Sequence, residues 1–577
     1  MHIRSTVFFT LLAAAGAMAQ QTNHNASPVN GPDLDFPTVL YGVAYYNEYM
    51  PGDQAARLDK DVALMKAAGL NVVRMGESTW SLWEPEDGKF EYAWMDHIVD
   101  AMGKAGIKVI LGTPTYAIPA WMARQHPEIF ADRIPPGMFG GQPVSSTYGL
   151  RQNMDTDSPA YRFYAERLIR HIVAHYKDNP TVIGWQLDNE TSSYEAANPD
   201  VFIGFQHYLE KKFVTPEALS KAWFLNYWGE NLHTWEDLPK RDGTISTGYK
   251  LEWSRWSQMR VTDFLHWQAE LVRECAGPRQ FVTTDYGGMM RRDVDEGAVA
   301  DSLDIVADNI YHGSQDHYDG SFQALQSDFS RSLKHTNFLV TETNGQTIGW
   351  TSQSQFPPYD GQLREDVYTY LANGANMVEY WHWASIAANQ ETYWKGILSH
   401  DLEPNREYAE MSRTAHELEK IGPHLVGLKI HNDVAILWSR DSANAISFMP
   451  YGGGVPARSW TGDPDGYVIR PGGHIFMAFL EGRAIGCCAL IPMEPGVFEV
   501  AKMAVDERYR GRGVGRKVLG YTVERARELG ASLLYLETNR NLANAIHLYE
   551  SLGFQHLPPK ESPYARANVF MELRLKH

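Results

Sequence analysis

The chain has 577 residues, 44% of them hydrophobic and 21% charged, a globular composition too long for one ordinary domain. Its net charge of −18 argues against nucleic acid and anionic membrane as partners. Three cysteines, with no C-x-x-C among them, provide neither a disulfide framework nor a zinc or redox site.

The first residues have the parts of an export signal: positive charge in "MHIR", an apolar core "TVFFTLLAAAGAM", and small residues at Ala17-Met18-Ala19. Residues 1–19 are therefore expected to send the chain to the periplasm or outside the cell, and 20–37 to form a flexible leader. The apolar run is too short to span a bilayer as a mature helix, and no other long apolar run follows.

From 38 to 427, apolar runs alternate with amphipathic segments. Strands are predicted over 39–46, 71–77, 108–114, 182–190, 280–286, 304–311, 337–344 and 376–383. Helical patterns separate them, for example over 55–69 and 158–176, and a helix over 405–421 closes the set. Eight near-continuous apolar strands with helices between them predict a TIM (β/α)8 barrel. The count of eight and the Gly-poor first strand-helix turn disfavour the alternative, a doubly wound open sheet. One further strand-like run follows at 432–448. The Gly-, Pro- and Asp-rich stretch 450–466 then breaks the pattern, as a domain boundary does. Beyond it come two strands joined by a Glu-Gly turn, a third strand, the Gly-rich helix start "RGRGVGRKVLG", and then strand, helix and strand. This is a second, smaller α/β domain.

In parallel barrels the chemistry sits at the C-terminal ends of the strands. The fourth strand candidate runs "IGWQLDNE" into Glu190, the seventh runs "FLVTETN" through Glu342, and Glu77 closes the second. Glu379 lies inside the eighth. The fourth and seventh strands face each other across an eight-stranded barrel, so Glu190 and Glu342 can converge at its mouth. Two such acids in unlike environments suit glycosidic cleavage, where one protonates the leaving oxygen and the other attacks the anomeric carbon. Spacing alone leaves open the plainer reading of solvated loop acids.

With "YGVAYYNEYMP", "DVALMKAAGLNVVRMGESTWSLWEPEDGKFEYAWMD", "KVILGTPTYAIPAWM", "WQLDNE" and "LVTETNGQTIGW" in order, residues 38 to about 425 resemble the catalytic barrel of glycoside hydrolase family 42, the β-galactosidases. The resemblance implies cleavage of terminal β-D-galactosides with retention, Glu190 as acid/base and Glu342 as nucleophile. It also implies Asn189 at the sugar 2-hydroxyl, Trp350 as a sugar-facing ring, and Arg151 binding the sugar or holding the nucleophile. Tyr311 would hydrogen-bond the nucleophile, and Glu391 would hold galactose hydroxyls. Asp188 is expected to support its neighbours through hydrogen bonds. The loop "ETSSYEAANPD" lacks the cysteines with which some members bind zinc, so no metal is expected, and Trp394 stands where some members have His. The glycosidase chemistry needs no cofactor. Of the family's flavodoxin-like second domain, used in trimer assembly, only a beginning over about 428–450 is recognised, so 428–461 is read as a stub and linker and no oligomeric state follows.

Residues 462–577 are similar to the GNAT acetyltransferases, in the order strand, "RGRGVG", helix, strand, "NLANAIHLYESLGF". The resemblance implies acetyl-CoA as cofactor, its pyrophosphate on Arg510, Gly511, Arg512, Gly513, Val514 and Gly515, and its pantetheine arm on the strand from Met503 to Val505. Tyr549 matches the Tyr that protonates the departing thiolate in many members; its plainer reading is a core aromatic. Glu499 and Glu537 are weak candidates for a general base. The family's first strand and first two helices are not recognised, which reads as a fusion of two partners trimmed at the joint. Three functions follow: an exported glycosidase with an idle C-terminal domain, a bifunctional glycosidase and N-acetyltransferase, or a non-catalytic sugar-binding protein. The first is preferred.

Overall fold

The computed structural model describes residues 31–133, 144–149, 151–240, 246–351, 355–432, 436–448, 472–480, 483–560 and 567–575. The export signal and part of the 428–461 linker lie outside them. The chain divides into two compact units, one over Ala26–Ile430 with Arg440–Phe448, the other including His431–Ser439 and Met449–His577.

The larger unit is a parallel barrel. Its strands are β1 (Leu40–Ala44), β2 (Val72–Met75), β3 (Lys108–Gly112), β4 (Val182–Gln186), β5 (Phe281–Thr283), β6 (Asp285–Tyr286), β7 (Ala307–Asn309), β8 (Phe338–Glu342) and β9 (Ala375–Tyr380). Their order is β5-β4-β3-β2-β1-β9-β8-β7-β6. Nine strands appear where eight are predicted because the run at 280–286 divides at Thr284. Its first half pairs with β4 and its second with β7, so the ring closes through the chain itself. The Thr284 hydroxyl donates to the Leu187 carbonyl oxygen at 2.7 Å, which anchors the break.

Side chains alternate along each strand. Val73, Val109, Val340 and Val378 join the large outer core against the helices. Leu40, Val72, Ile110, Phe281, Leu339 and Met377 form a separate apolar cluster that plugs the interior. Two residues further along β2 and β9, the same inward face carries Arg74 and Glu379, both fully buried. The interior thus changes from apolar to charged toward the strand C-termini. The helix Pro159–Tyr176 shows why the outer layer forms. Ser158 caps it, Pro159 occupies its first turn, and Tyr161, Ala165, Leu168, Ile172 and Tyr176 recur on one buried face. Each buried Leu or Ile there contributes about 1.5–3 kcal/mol.

The run 432–448 is not a strand where it is described to its end: Arg440–Phe448 is a helix. Arg440 pairs with Glu296 and with Asp295, and Asn444 donates to the Arg292 carbonyl oxygen at 3.1 Å. These tertiary contacts override the apolar pattern of the local sequence.

The smaller unit is a six-stranded sheet of β10 (His474–Leu480), β11 (Arg483–Glu494), β12 (Val497–Val505), β13 (Leu533–Thr538), β14 (Gln555–Leu557) and β15 (Val569–Arg574), in the order β10-β11-β12-β13-β15-β14. All pairings are antiparallel except β12 with β13. Leu490, Leu519, Ala526, Leu534 and Met571 are at the centre of its core.

Candidate active site

Arg74 organises the barrel mouth. Its Nη2 lies 2.5 Å from Glu342 Oε1, and its Nη1 lies 3.2 Å from Glu77 Oε1 and donates to Gln186 Oε1 at 2.9 Å. Glu379 Oε2 lies 3.9 Å from its Nε. Tyr46 donates to Glu77 from the other side. Gly112 faces Glu77 so closely that a Cβ there would stand 2.5 Å from the Glu77 Cβ. Tyr311 donates its hydroxyl to Glu342 Oε2 at 2.6 Å. Burial pushes the Glu342 carboxyl up to about 7; Arg74 and Tyr311 oppose this, and Glu190 adds to it. Burial likewise holds Glu379 and Asp285 well above the usual carboxylate range.

Glu190 lies four residues past the end of β4, and the turn that delivers it is built by its neighbours. Asp188 and Glu190 both adopt left-handed backbone, with φ of 49° and 45°. Each costs of the order of 1–2 kcal/mol for a residue with a side chain. Asp188 offsets that cost by accepting from Thr115 at 2.6 Å, Thr191 at 2.7 Å and Tyr194 at 2.8 Å. It therefore supports the turn, as expected. The Glu190 N–H donates to Asp285 Oδ1 at 3.0 Å. Asn309 Nδ2 donates to Glu190 Oε1 at 3.0 Å and to Asp285 Oδ2 at 3.1 Å. Gly287 leaves the space: a Cβ there would meet Glu190 atoms at 3.2 Å. Glu190 is half-buried, and its carboxyl has a neutral amide as neighbour where Glu342 has a guanidinium and a phenol.

Arg151 does not hold Glu342; Arg74 does. Arg151 stands at the rim, 4.0 Å from Glu391 and over the rings of Tyr116 and Trp350 at 5.7 and 5.9 Å. That leaves it the sugar-facing half of its expectation. Trp350 is 53% exposed, Asn189 is buried beside Glu190, and burial raises Glu391 against the pull of Arg151. Trp394 packs edge-on against Tyr311, ring centres 5.0 Å apart. Sequence reasoning missed Arg74, Asp285 and Asn309. For Arg74 the available signal was a charged residue at an inward position of an apolar strand. Among the described residues no group of three or more His, Cys, Asp or Glu is placed to hold a metal.

Residues 44–421, more than half of the chain, match the family model of glycoside hydrolase family 42, described as beta-galactosidase. The chain belongs to glycoside hydrolase family 42. A beta-galactosidase of Clostridium cellulovorans is 27% identical over 417 residues, covering 71% of this chain and 61% of the relative. One from Thermus thermophilus is 28% identical over 436 residues, covering 72% and 65%. The solved structure of a polyextremophilic beta-galactosidase from the Antarctic haloarchaeon Halorubrum lacusprofundi superposes with a TM-score of 0.65 at 27% identity, covering 71% of this chain and 62% of that one. The chain thus spans about three fifths of the length of the curated relatives it matches. Residues 447–554 match the GNAT acetyltransferase family model, so the family 42 barrel is followed by a GNAT domain.

In the GNAT domain the Gly-rich turn opens the helix Val514–Glu528. Gly511 and Gly513 have φ of 74° and 81°, and a Cβ at either would meet nothing within 4 Å. No side chain caps this helix start. Backbone N–H groups and the positive end of the helix dipole are left for an anion, with Arg510 and Arg512 flanking. Strands β12 and β13 pair only at Val497–Glu499 with Leu533–Tyr535, so β12 runs on to Met503 and Val505 without that partner. Lys502, at φ 57°, lies where the β11–β12 register shifts. These features fit a diphosphate-bearing cofactor with a long arm. Tyr549 is buried in the core against Phe554, and burial pushes its phenol up to about 12. Glu537 accepts from the Tyr535 hydroxyl at 2.8 Å.

Proposed function

We propose that the barrel hydrolyses terminal β-D-galactosides with retention, through a galactosyl-enzyme intermediate on Glu342. The observation that carries this reading is the unlike setting of two acids at strand ends. Glu342 meets Arg74 at 2.5 Å and Tyr311 at 2.6 Å, whereas Glu190 accepts from the Asn309 amide. A guanidinium and a phenol beside Glu342 favour its ionised form against the burial that raises it, which suits a nucleophile, and Glu190 takes the role of acid. Glu342 attacks the anomeric carbon while the Glu190 proton passes to the glycosidic oxygen, and the aglycone leaves as an alcohol. Water then attacks the anomeric carbon, Glu190 takes its proton, and Glu342 is released as carboxylate. Arg151, Asn189, Glu391 and Trp350 hold the sugar. Family membership and the names of the relatives support the substrate class.

The GNAT domain is proposed to bind acetyl-CoA, which supplies an activated acetyl group when bound. The backbone of Arg510–Gly515 holds its diphosphate, and the edge of Met503–Val505 that β13 leaves unpaired takes its arm. Export directed by residues 1–19 belongs to the same proposal and would keep the domain from acetyl-CoA in the cell.

The test is hydrolysis of nitrophenyl β-D-galactoside by wild type, Glu190→Gln and Glu342→Gln, with the anomer of the first product read by NMR. Turnover giving β-galactose, lost by orders of magnitude in both variants, is expected. A folded wild type that binds galactosides without turnover would establish a sugar-binding protein instead.

A further inference from the structure

The end of β7 and the end of β8 are gripped from outside by one helix, Gln362–Ala372. Tyr370 of that helix donates to the Ile310 carbonyl oxygen at 3.1 Å and shares a 2.9 Å hydrogen bond with the Thr343 hydroxyl. It thereby touches the residue before Tyr311 and the residue after Glu342. Asp366, one turn earlier, reaches His312, the residue after Tyr311: His312 Nε2 lies 3.2 Å from Asp366 Oδ2. Both side chains are buried. The backbone of His312 is tied on both sides to Asn344. Its N–H donates to Asn344 Oδ1 at 3.2 Å, and its carbonyl oxygen accepts from Asn344 Nδ2 at 2.7 Å. Asn344 is two residues past Glu342.

We propose that the His312–Asp366 pair is a positioning device for the nucleophile, fixing the segment that carries Tyr311 and so the hydroxyl that holds Glu342. This rests on the galactosidase reading. His312 Nε2 and Asp366 Oδ2 are buried without a hydrogen-bond partner, so the pair is held by charge and needs a proton on the imidazole. His312 Nδ1 lies 2.8 Å from the Gly313 carbonyl oxygen, which can only accept, so Nδ1 carries a hydrogen. In a neutral ring Nε2 would then present a lone pair to a carboxylate. Protonation turns that repulsion into a buried ion pair. Burial works against the charged ring, and Asp366 outweighs it, holding His312 above its ordinary value. Gln323 donates to the other Asp366 oxygen at 2.8 Å and fixes the carboxylate. The titratable groups around the pair are Tyr318, edge-on to the imidazole at 5.7 Å, with Tyr370, Tyr41 and Tyr380, all of which feel the Asp366 charge. All four phenols are raised above their ordinary value and stay neutral across the working range, and Glu365 acts on Tyr318. The pair holds below the raised His312 midpoint and loosens as pH rises through it.

The test is kcat/KM against pH for 2,4-dinitrophenyl β-D-galactoside, whose leaving group departs without a proton, so the profile reports the nucleophile rather than Glu190. Wild type should fall on the alkaline side. Asp366→Asn should lower the plateau about tenfold through misplacement of Tyr311 and shift the alkaline midpoint down by about one pH unit or more. His312→Gln, whose amide donates to Asp366 without titrating, should keep most of the plateau and lose the alkaline limb. It decides the matter if Asp366→Asn does not fold. Profiles that superimpose, or that differ only by a pH-independent factor, overturn the proposal while leaving the galactosidase reading intact. A folded wild type without turnover overturns both.

Discussion

Replacing Arg74 with Gln removes the cation that Glu342 meets at 2.5 Å, Glu77 at 3.2 Å and Glu379 at 3.9 Å. With Arg74 in place, burial leaves Glu342 at about 7. An adjacent Arg lowers a carboxyl by about 1–3 pH units, so its loss should move the acid limb of kcat/KM upward by about that much. Below the new midpoint, each unit removes about nine tenths of the remaining carboxylate. At pH 6 the variant should therefore be about ten- to thousandfold slower than wild type, with the deficit shrinking toward pH 9. Leaving buried acids without their cation should also cost about 3–5 kcal/mol of stability, less where they take up protons. The assay is galactoside hydrolysis from about pH 5 to 10, with urea unfolding alongside. Arg74→Lys, which keeps the charge and loses the planar fork, should fall between the two. A folded Arg74→Gln whose acid limb coincides with that of wild type would refute the assignment of Arg74 as the group that keeps Glu342 ionised.

Tyr311→Phe deletes a 2.6 Å hydrogen bond to a carboxylate, a contact contributing about 1.5–3 kcal/mol, and should lower kcat/KM about 10- to 150-fold with the fold intact; a change under threefold would contradict it. Glu379 is held above the carboxylate range, so the folded state keeps a proton that the unfolded chain releases above pH about 4.3. Stability from this group falls as pH rises from there to the folded midpoint. Glu379→Gln should abolish that fall and match wild type at pH 4 in urea unfolding. A loss of about 3 kcal/mol or more at pH 7 would mean that an ionised group had been removed. Trp350→Ala should raise KM and leave kcat nearly unchanged, as removal of uniform binding does; an equal loss in both would place the ring nearer the reacting bond. Gly513→Val puts a branched side chain at φ 81° in the helix-opening turn and should abolish acetyl-CoA binding by the full chain in calorimetry, with galactosidase activity unchanged. Binding equal to wild type would dissociate the turn from the cofactor.

The barrel was legible because its strands are apolar on both faces and its helices keep a 3.6-residue stripe. The acids were legible because Glu342 ends such a strand and Glu190 closely follows one. Arg74 was not singled out, although period-2 alternation from Val72 places it inside. A buried arginine makes sense only once the carboxylates from β2, β8 and β9 are seen around it. Asp285 and Asn309 were invisible for the same reason, since they lie 95 and 119 positions along the chain from their partner Glu190. Of the two roles matched to Arg151, Arg74 takes the contact with Glu342, and binding of the sugar is left to Arg151. The break at Thr284 and the helix at Arg440–Phe448 are tertiary effects. In the GNAT domain the Gly-rich turn was readable, whereas the open edge of β12 depends on where pairing with β13 stops.

The central claim is covalent attack by Glu342. It is tested most directly by incubating the enzyme with 2-deoxy-2-fluoro-β-D-galactosyl fluoride, digesting it, and locating the label by mass spectrometry. The fluorine slows both steps and the fluoride leaves readily, so the glycosyl-enzyme accumulates. A single fluorogalactosyl group on the peptide containing Glu342, with activity lost in proportion to labelling, is the predicted result. A label on Glu190, or an active enzyme that never takes one, would contradict the account.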